Sequence, residues 1–148
     1  MKRCASVLFL ALISLALFGQ GTKTIEIPAH HKTPPKKTDT LPPILPREQL
    51  WGPSFQYPVQ VHAYELAAKI PDVLYQLPCY CFCDRSVGHT SLRSCYESTH
   101  AAHCAACMKE MYYAYLQTKE HKTPAQIRAE IIKGAWEQID LSTAADIN

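Results

Sequence analysis

Thr99-His100-Ala101-Ala102-His103-Cys104-Ala105-Ala106-Cys107 decides how this chain is read. At 3.6 residues per turn, positions i, i+4 and i+7 fall on one helix face. A helix from His100 to about Leu116, capped at Thr99, would therefore project His100, Cys104 and Cys107 together. The partial positive charge at a helix start favours thiolate, the form of cysteine that binds metal. Two thiolates and an imidazole on one face make most of a soft-metal site. His103 precedes Cys107 by four residues, but reads as a surface histidine.

Upstream, Cys79-Tyr80-Cys81-Phe82-Cys83 alternates cysteine with aromatic residues, and His89 and Cys95 follow. Pro78 biases Leu77 toward extended geometry, so the chain leaves helix as it enters this run. In an extended segment rising ~3.3 Å per residue, the Cα atoms of Cys79 and Cys83 would be ~13 Å apart. Metal–sulfur bonds are only ~2.3 Å long. Either the run is a tight loop, or its cysteines serve more than one ion. Cys79, Cys81, Cys83, His89, Cys95, His100, Cys104 and Cys107 are eight candidate ligands, twice what one tetrahedral zinc uses. They favour two ions or a small thiolate cluster.

Working outward, Val61, Tyr64, Glu65, Ala68 and Lys69 suggest a short helix that stops before Pro71. Pro71-Asp72 can open a second one through Gln76, since proline is tolerated in a first turn. Thr90 or Ser91 can cap a third through Tyr96. Thr123-Pro124-Ala125-Gln126 is a capping box with proline at N1. It opens a helix whose core stripe is Ile127, Ile131, Ala135 and Ile139, widened by Ile132 and Trp136. No strand-period segment or internal repeat is visible. The expected fold class is all-α, a small helical domain over 61–148 with a Cys/His-rich loop.

The N-terminal part has another character. Lys2 and Arg3 precede an uncharged apolar run, Ala5 to Phe18, and Gly19-Gln20-Gly21 supplies small and polar residues after it. Residues 1–21 thus read as a secretory signal peptide or an uncleaved membrane anchor, which places the rest outside the cytoplasm. Residues 22–60 hold eight of the eleven prolines. Proline removes an amide donor and fixes φ, so this segment reads as a disordered Pro-rich tether or linker. Its His30-His31 pair is a weak metal candidate. The whole chain carries a formal charge of +2, and Lys2 and Arg3 account for it. No basic stripe marks a nucleic-acid binder.

Outside the cytoplasm, six clustered cysteines can also form a disulfide scaffold, with fifteen possible pairings. Against it, neighbours in a Cys-x-Cys pair bridge each other only with strain, and the histidines would have no task. Cys104-Ala-Ala-Cys107 is followed by Met108, so the c-type haem attachment pattern fails. It also lacks the βαβ surroundings of a thioredoxin.

The run Leu77-Pro78-Cys79-Tyr80-Cys81-Phe82-Cys83 resembles the signature of the PCYCxC (CYCXC) family of exported bacterial proteins. The likeness continues through Gly88-His89, Leu92 and Cys95, then His100 to Cys107, which is similar to that family's HAxxCxxC segment. Gln126-Ile127-Arg128 resembles its closing helix. The resemblance spans roughly Val61 to Asp140. It implies an exported or lipid-anchored protein, and selenoprotein members imply soft-ligand or redox chemistry at a thiol position. Phe82 stands where the family commonly has glycine. No lipobox cysteine is visible, since Cys4 precedes the apolar run.

Thiolate-rich ligands select Cu(I), zinc or iron–sulfur clusters. Zinc suits the Cys/His mixture; Cu(I) suits the excess of thiolates and is slightly favoured. The sequence therefore points first to an exported protein that sequesters or transfers copper or zinc ions. Two alternatives remain open: a thiol–disulfide protein working through Cys104 and Cys107, or a domain stapled by zinc or disulfides.

Overall fold

Prolines and capping side chains set where each helix begins. The computed structural model describes residues 26–148. The expected signal or anchor over 1–21 lies outside the described residues, as does the start of the linker. Among the described residues there are five α-helices and no strand, so the fold is all-α. They are α1 (Pro58–Ala67), α2 (Pro71–Tyr75), α3 (Cys83–Ser86), α4 (Ala105–Lys119) and α5 (Pro124–Ile132). Short 3-10 turns at Arg47–Gln49, Leu92–Tyr96, Thr99–His103, Ala135–Gln138 and Ala144–Asp146 connect or flank them.

Three of the five helices start on proline. Pro58, Pro71 and Pro124 each occupy the first turn, where a missing N–H costs nothing. Thr123 and Gln126 form the expected capping box: the Thr123 N–H donates to Gln126 Oε1 at 2.9 Å, and the Gln126 N–H to Thr123 Oγ1 at 3.3 Å. The stripe expected to run on to Ile139 is cut short. Helix α5 ends at Ile132 because Gly134 takes a left-handed φ of 81° and donates its N–H to the Ile131 carbonyl at 2.9 Å. Ala135, Trp136 and Ile139 still pack against the core, from the next turn.

Helix α4 is the axis of the core. Cys107, Met108, Glu110, Met111, Tyr112, Tyr113, Ala114 and Tyr115 are all buried along it. Helix α1 lies against it through Ala63, Tyr64, Leu66 and Ala67. Tyr64 and Tyr96, both fully buried, meet edge to face at 4.8 Å, a favoured aromatic geometry. Their hydroxyls are satisfied by backbone: Tyr64 donates to the Ser98 carbonyl at 2.7 Å, and Tyr96 to the Cys107 carbonyl at 3.0 Å. These two phenols brace the entrance to α4.

As expected, the Pro-rich segment has no α-helix or strand in its described part before Pro58. That part, 26–57, nevertheless lies on the domain instead of hanging free. The Leu45 N–H donates to the Tyr96 carbonyl at 2.9 Å, and buried Arg93 donates to the Pro42 carbonyl at 2.8 Å. The His31 ring stacks on Tyr75 at 3.8 Å, and the Ala29 N–H donates to Asp84. Leu50 and Phe55 reach the core itself. Proline forbids a regular ladder, but the side chains between prolines still carry contacts that composition alone does not reveal.

Candidate metal centre

The cysteine run is curled. The Phe82 N–H donates to the Cys79 carbonyl at 3.1 Å, closing a turn, and α3 begins at Cys83. Phe82 makes this possible by taking φ 55° and ψ 35°, the left-handed region. An L-residue there costs roughly 1–2 kcal/mol. Its ring is held by Arg85, whose guanidinium sits 4.2 Å from the ring centre, and by the edge of Tyr80. The run is a tight loop rather than an extended segment. The sulfurs of Cys79, Cys81 and Cys83 lie within 4.8 Å of one another.

The helix expected from Thr99 is two elements. Ser98, not Thr99, caps the 3-10 turn Thr99–His103, by accepting from the His100 N–H. Cys104 then leaves helical geometry at φ −128° and ψ 105°, and becomes the N-cap of α4: its sulfur accepts from the Cys107 N–H at 3.4 Å. His100 is therefore not on one helix face with Cys104 and Cys107. It turns instead to His89, with ring centres 4.8 Å apart. The cause is that a cap sulfur competes with the backbone for the first free N–H groups of a helix.

All eight residues singled out in the sequence come together nonetheless. Cys79 Sγ lies 3.4 Å from Cys81 and 3.3 Å from Cys107, and Cys81 lies 3.7 Å from Cys107. Cys83 and Cys95 are 3.4 Å apart, and His89 Nδ1 is 3.2 Å from the first and 3.3 Å from the second. Gly88 precedes His89 with φ 73°, a left-handed turn that suits glycine. One donor atom each from Cys83, His89, Cys95 and His100 falls within a 4.8 Å sphere of mutual distance, as do those of Cys81, Cys104 and Cys107, and of Cys79, Cys95 and Cys107. A tetrahedral ion with bonds of ~2.0–2.3 Å needs donor spacings of about 3.3–3.8 Å. The contacts of 3.2–3.7 Å lie in or just below that range, so this Cys/His cluster can hold a metal ion with small shifts of its side chains. All six described cysteines are unbridged. His103 is elsewhere, on Ser54 at 2.9 Å, and His30 and His31 face Pro28 and Tyr75.

Six thiols in contact cannot all ionise, and they divide by position. Half-exposed Cys81 is held far below the ordinary thiol range by the Cys104 hydrogen bond first, then by Cys107. Cys83 is lowered to about 3, chiefly by the hydrogen bond from Cys79. Buried Cys79 is pushed up, above all by its contact with Cys107, and Cys107 above all by its contact with Cys104. Cys81 and Cys83 are thus the thiols that ionise first, and the deeper Cys79 and Cys107 the ones that keep their protons.

Glu110 is the feature that the sequence reading missed. It is completely buried on α4, and its Oε1 accepts the Tyr80 N–H at 2.7 Å, pinning the cysteine loop to the helix. Its Oε2 has no partner among the described residues. Burial drives its carboxyl up to about 8, against the lowering effect of the Tyr80 N–H. The signal was present: Glu110 sits three residues after Cys107, on the same side of the helix.

Behind the loop, Leu92 N–H donates to the Leu77 carbonyl at 2.9 Å, and Arg128 donates to the Gln76 carbonyl at 2.9 Å. No curated protein and no solved structure matches the chain. A family model described as "Protein of unknown function with PCYCGC motif" matches residues 36–138. Its motif falls on Pro78-Cys79-Tyr80-Cys81-Phe82-Cys83, with the family's glycine at the left-handed position that Phe82 occupies here. With most of its length matched and the motif at the centre of the cluster, the chain belongs to the PCYCGC-motif family.

Proposed function

We propose that this is an exported soft-metal-binding protein that sequesters or transfers ions through Cys79, Cys81, Cys83, His89, Cys95, His100, Cys104 and Cys107. The observation that carries this reading is the contiguity of the eight donors: they fall into overlapping groups whose donor atoms lie within 4.8 Å of one another, and six of them, Cys79, Cys81, Cys83, His89, Cys95 and Cys107, make contacts of 3.2–3.7 Å. Six sulfurs among eight donors favour Cu(I) over zinc, since soft ligands select soft ions. The apolar run behind Lys2 and Arg3 supports export and an extracytoplasmic place of work, with the N-terminus as a possible anchor. Among the described residues no helix is long and apolar enough to cross a membrane.

Thiol–disulfide exchange through Cys104 and Cys107 has less support. Cys104 is half-exposed and could attack, but exchange through this pair leaves the other four cysteines and the two histidines of the cluster without a role. The expected outcome for the Cys104→Ser/Cys107→Ser double variant is loss of the metal held through that pair, read by elemental analysis of protein purified without oxygen. Unchanged metal content would remove this pair from the site.

A further inference from the structure

Resting on that soft-metal reading, we propose that the cluster is two unlike sites joined by one sulfur, and that they hold different ions. Cys83, His89, Cys95 and His100 form a closed site for zinc. Cys81, Cys104 and Cys107 form an open thiolate triangle for an exchangeable Cu(I). Cys79 stands between them.

The division follows from the break at Cys104. Because the chain is extended there, His100 on one side of it joins His89, while Cys104 and Cys107 on the other join Cys81. The first set offers four donors, two imidazole nitrogens and two sulfurs. Four such donors complete a tetrahedron, and zinc sites with no free position are the structural kind. Its two thiolates, on Cys83 and Cys95, are buried and balance the charge of a divalent ion. The second set offers sulfur alone, and three thiolates suit a soft monovalent ion better than a harder one. A triangle leaves a coordination position open, and two of its corners, Cys81 and Cys104, are half-exposed. Cys79 Sγ lies 3.4 Å from Cys81 and 3.3 Å from Cys107, and within 4.8 Å of the Cys83 and Cys95 sulfurs. It is placed to bridge.

Exchange on the open set needs no oxidant. Cu(I) arriving on a small thiolate carrier forms a bond to Cys81 sulfur as its bond to the carrier sulfur breaks. The carrier sulfur leaves with a proton from Cys104, whose own sulfur joins copper; the Cys107 proton passes to water, and copper stays Cu(I) throughout.

The test uses the full chain, loaded without oxygen with Zn(II) and Cu(I) together. X-ray absorption should show nitrogen and sulfur around zinc, but sulfur alone around copper. A Cu(I)-specific chelator should remove copper at least tenfold faster than zinc is lost. Cys81→Ser/Cys104→Ser should lose copper and keep zinc, and His100→Ala should do the reverse. Identical coordination at the two absorption edges, or loss of both ions together in both variants, would overturn the division while leaving soft-metal binding intact. A chain that binds neither ion would overturn the parent reading as well. The absorption measurement needs no variant, so a variant that misfolds does not remove the test.

Discussion

At the scale of single residues, two side chains carry costs that the site explains. Phe82 sits where the backbone prefers glycine. Glycine would relieve the left-handed strain but lose the Arg85 and Tyr80 contacts, each worth about 0.5–1.5 kcal/mol. The net effect of Phe82→Gly on stability should therefore stay within about 1 kcal/mol. Phe82→Val, β-branched and without the ring, should lose about 2 kcal/mol or more. Equal losses in chemical denaturation would show that the turn does not depend on this φ.

Glu110 gives the pH dependence. Its folded-state pKa, about 8, lies above the ordinary value of 4.5. A raised carboxyl contributes its stability below the ordinary value and loses it as pH climbs through the raised one. Glu110→Gln keeps the acceptor for the Tyr80 N–H and cannot ionise. Its advantage in thermal stability over the unmodified chain should be small at pH 5 and grow, by a few kcal/mol at most, up to pH 8. A difference that is flat with pH would contradict the assignment of that carboxyl as buried and uncompensated. The sequence showed Glu110's spacing from Cys107, yet not that its neighbours would exclude water, because burial is a property of the packed whole.

At the scale of elements, local signals and tertiary ones separate cleanly. The Thr123 cap, the proline starts of α2 and α5, and the candidate ligands of the loop were all legible, because each depends on residues within one turn of each other; α1 was expected only from Val61, whereas it starts at Pro58. The end of α5 was legible in Gly134 but was outweighed by the apolar stripe that continues past it. The break at Cys104 was not, since a cysteine sulfur acting as an N-cap has no strong compositional signature. Thr123→Ala and Arg128→Ala should divide in the same way. The first removes a cap, at about 1 kcal/mol, with no change in metal content. The second removes the charged donor to the Gln76 and His31 carbonyls, at roughly 1.5–3 kcal/mol, and should lower metal affinity because Gln76 leads directly into the cysteine loop. Titration of both variants with a competing chelator would check this; weakening by Thr123→Ala alone would contradict it.

At the scale of the molecule, the helices serve as a frame for irregular backbone. Donors come from a curled loop, a four-residue helix, two 3-10 turns and the first turn of α4, and none of these would persist without α1, α4 and the tyrosines behind them. The described part of the Pro-rich segment completes that frame through Arg93, Tyr96 and Tyr75.

The most direct measurement is the intact mass of the natively folded protein, purified without oxygen and compared with its mass after denaturation in acid. The expected result is bound-ion mass on the folded form, and a denatured mass in which all six cysteines between Cys79 and Cys107 are reduced thiols. A folded form with no added mass, and a denatured one lighter by six hydrogens, would mean three disulfides and no metal centre.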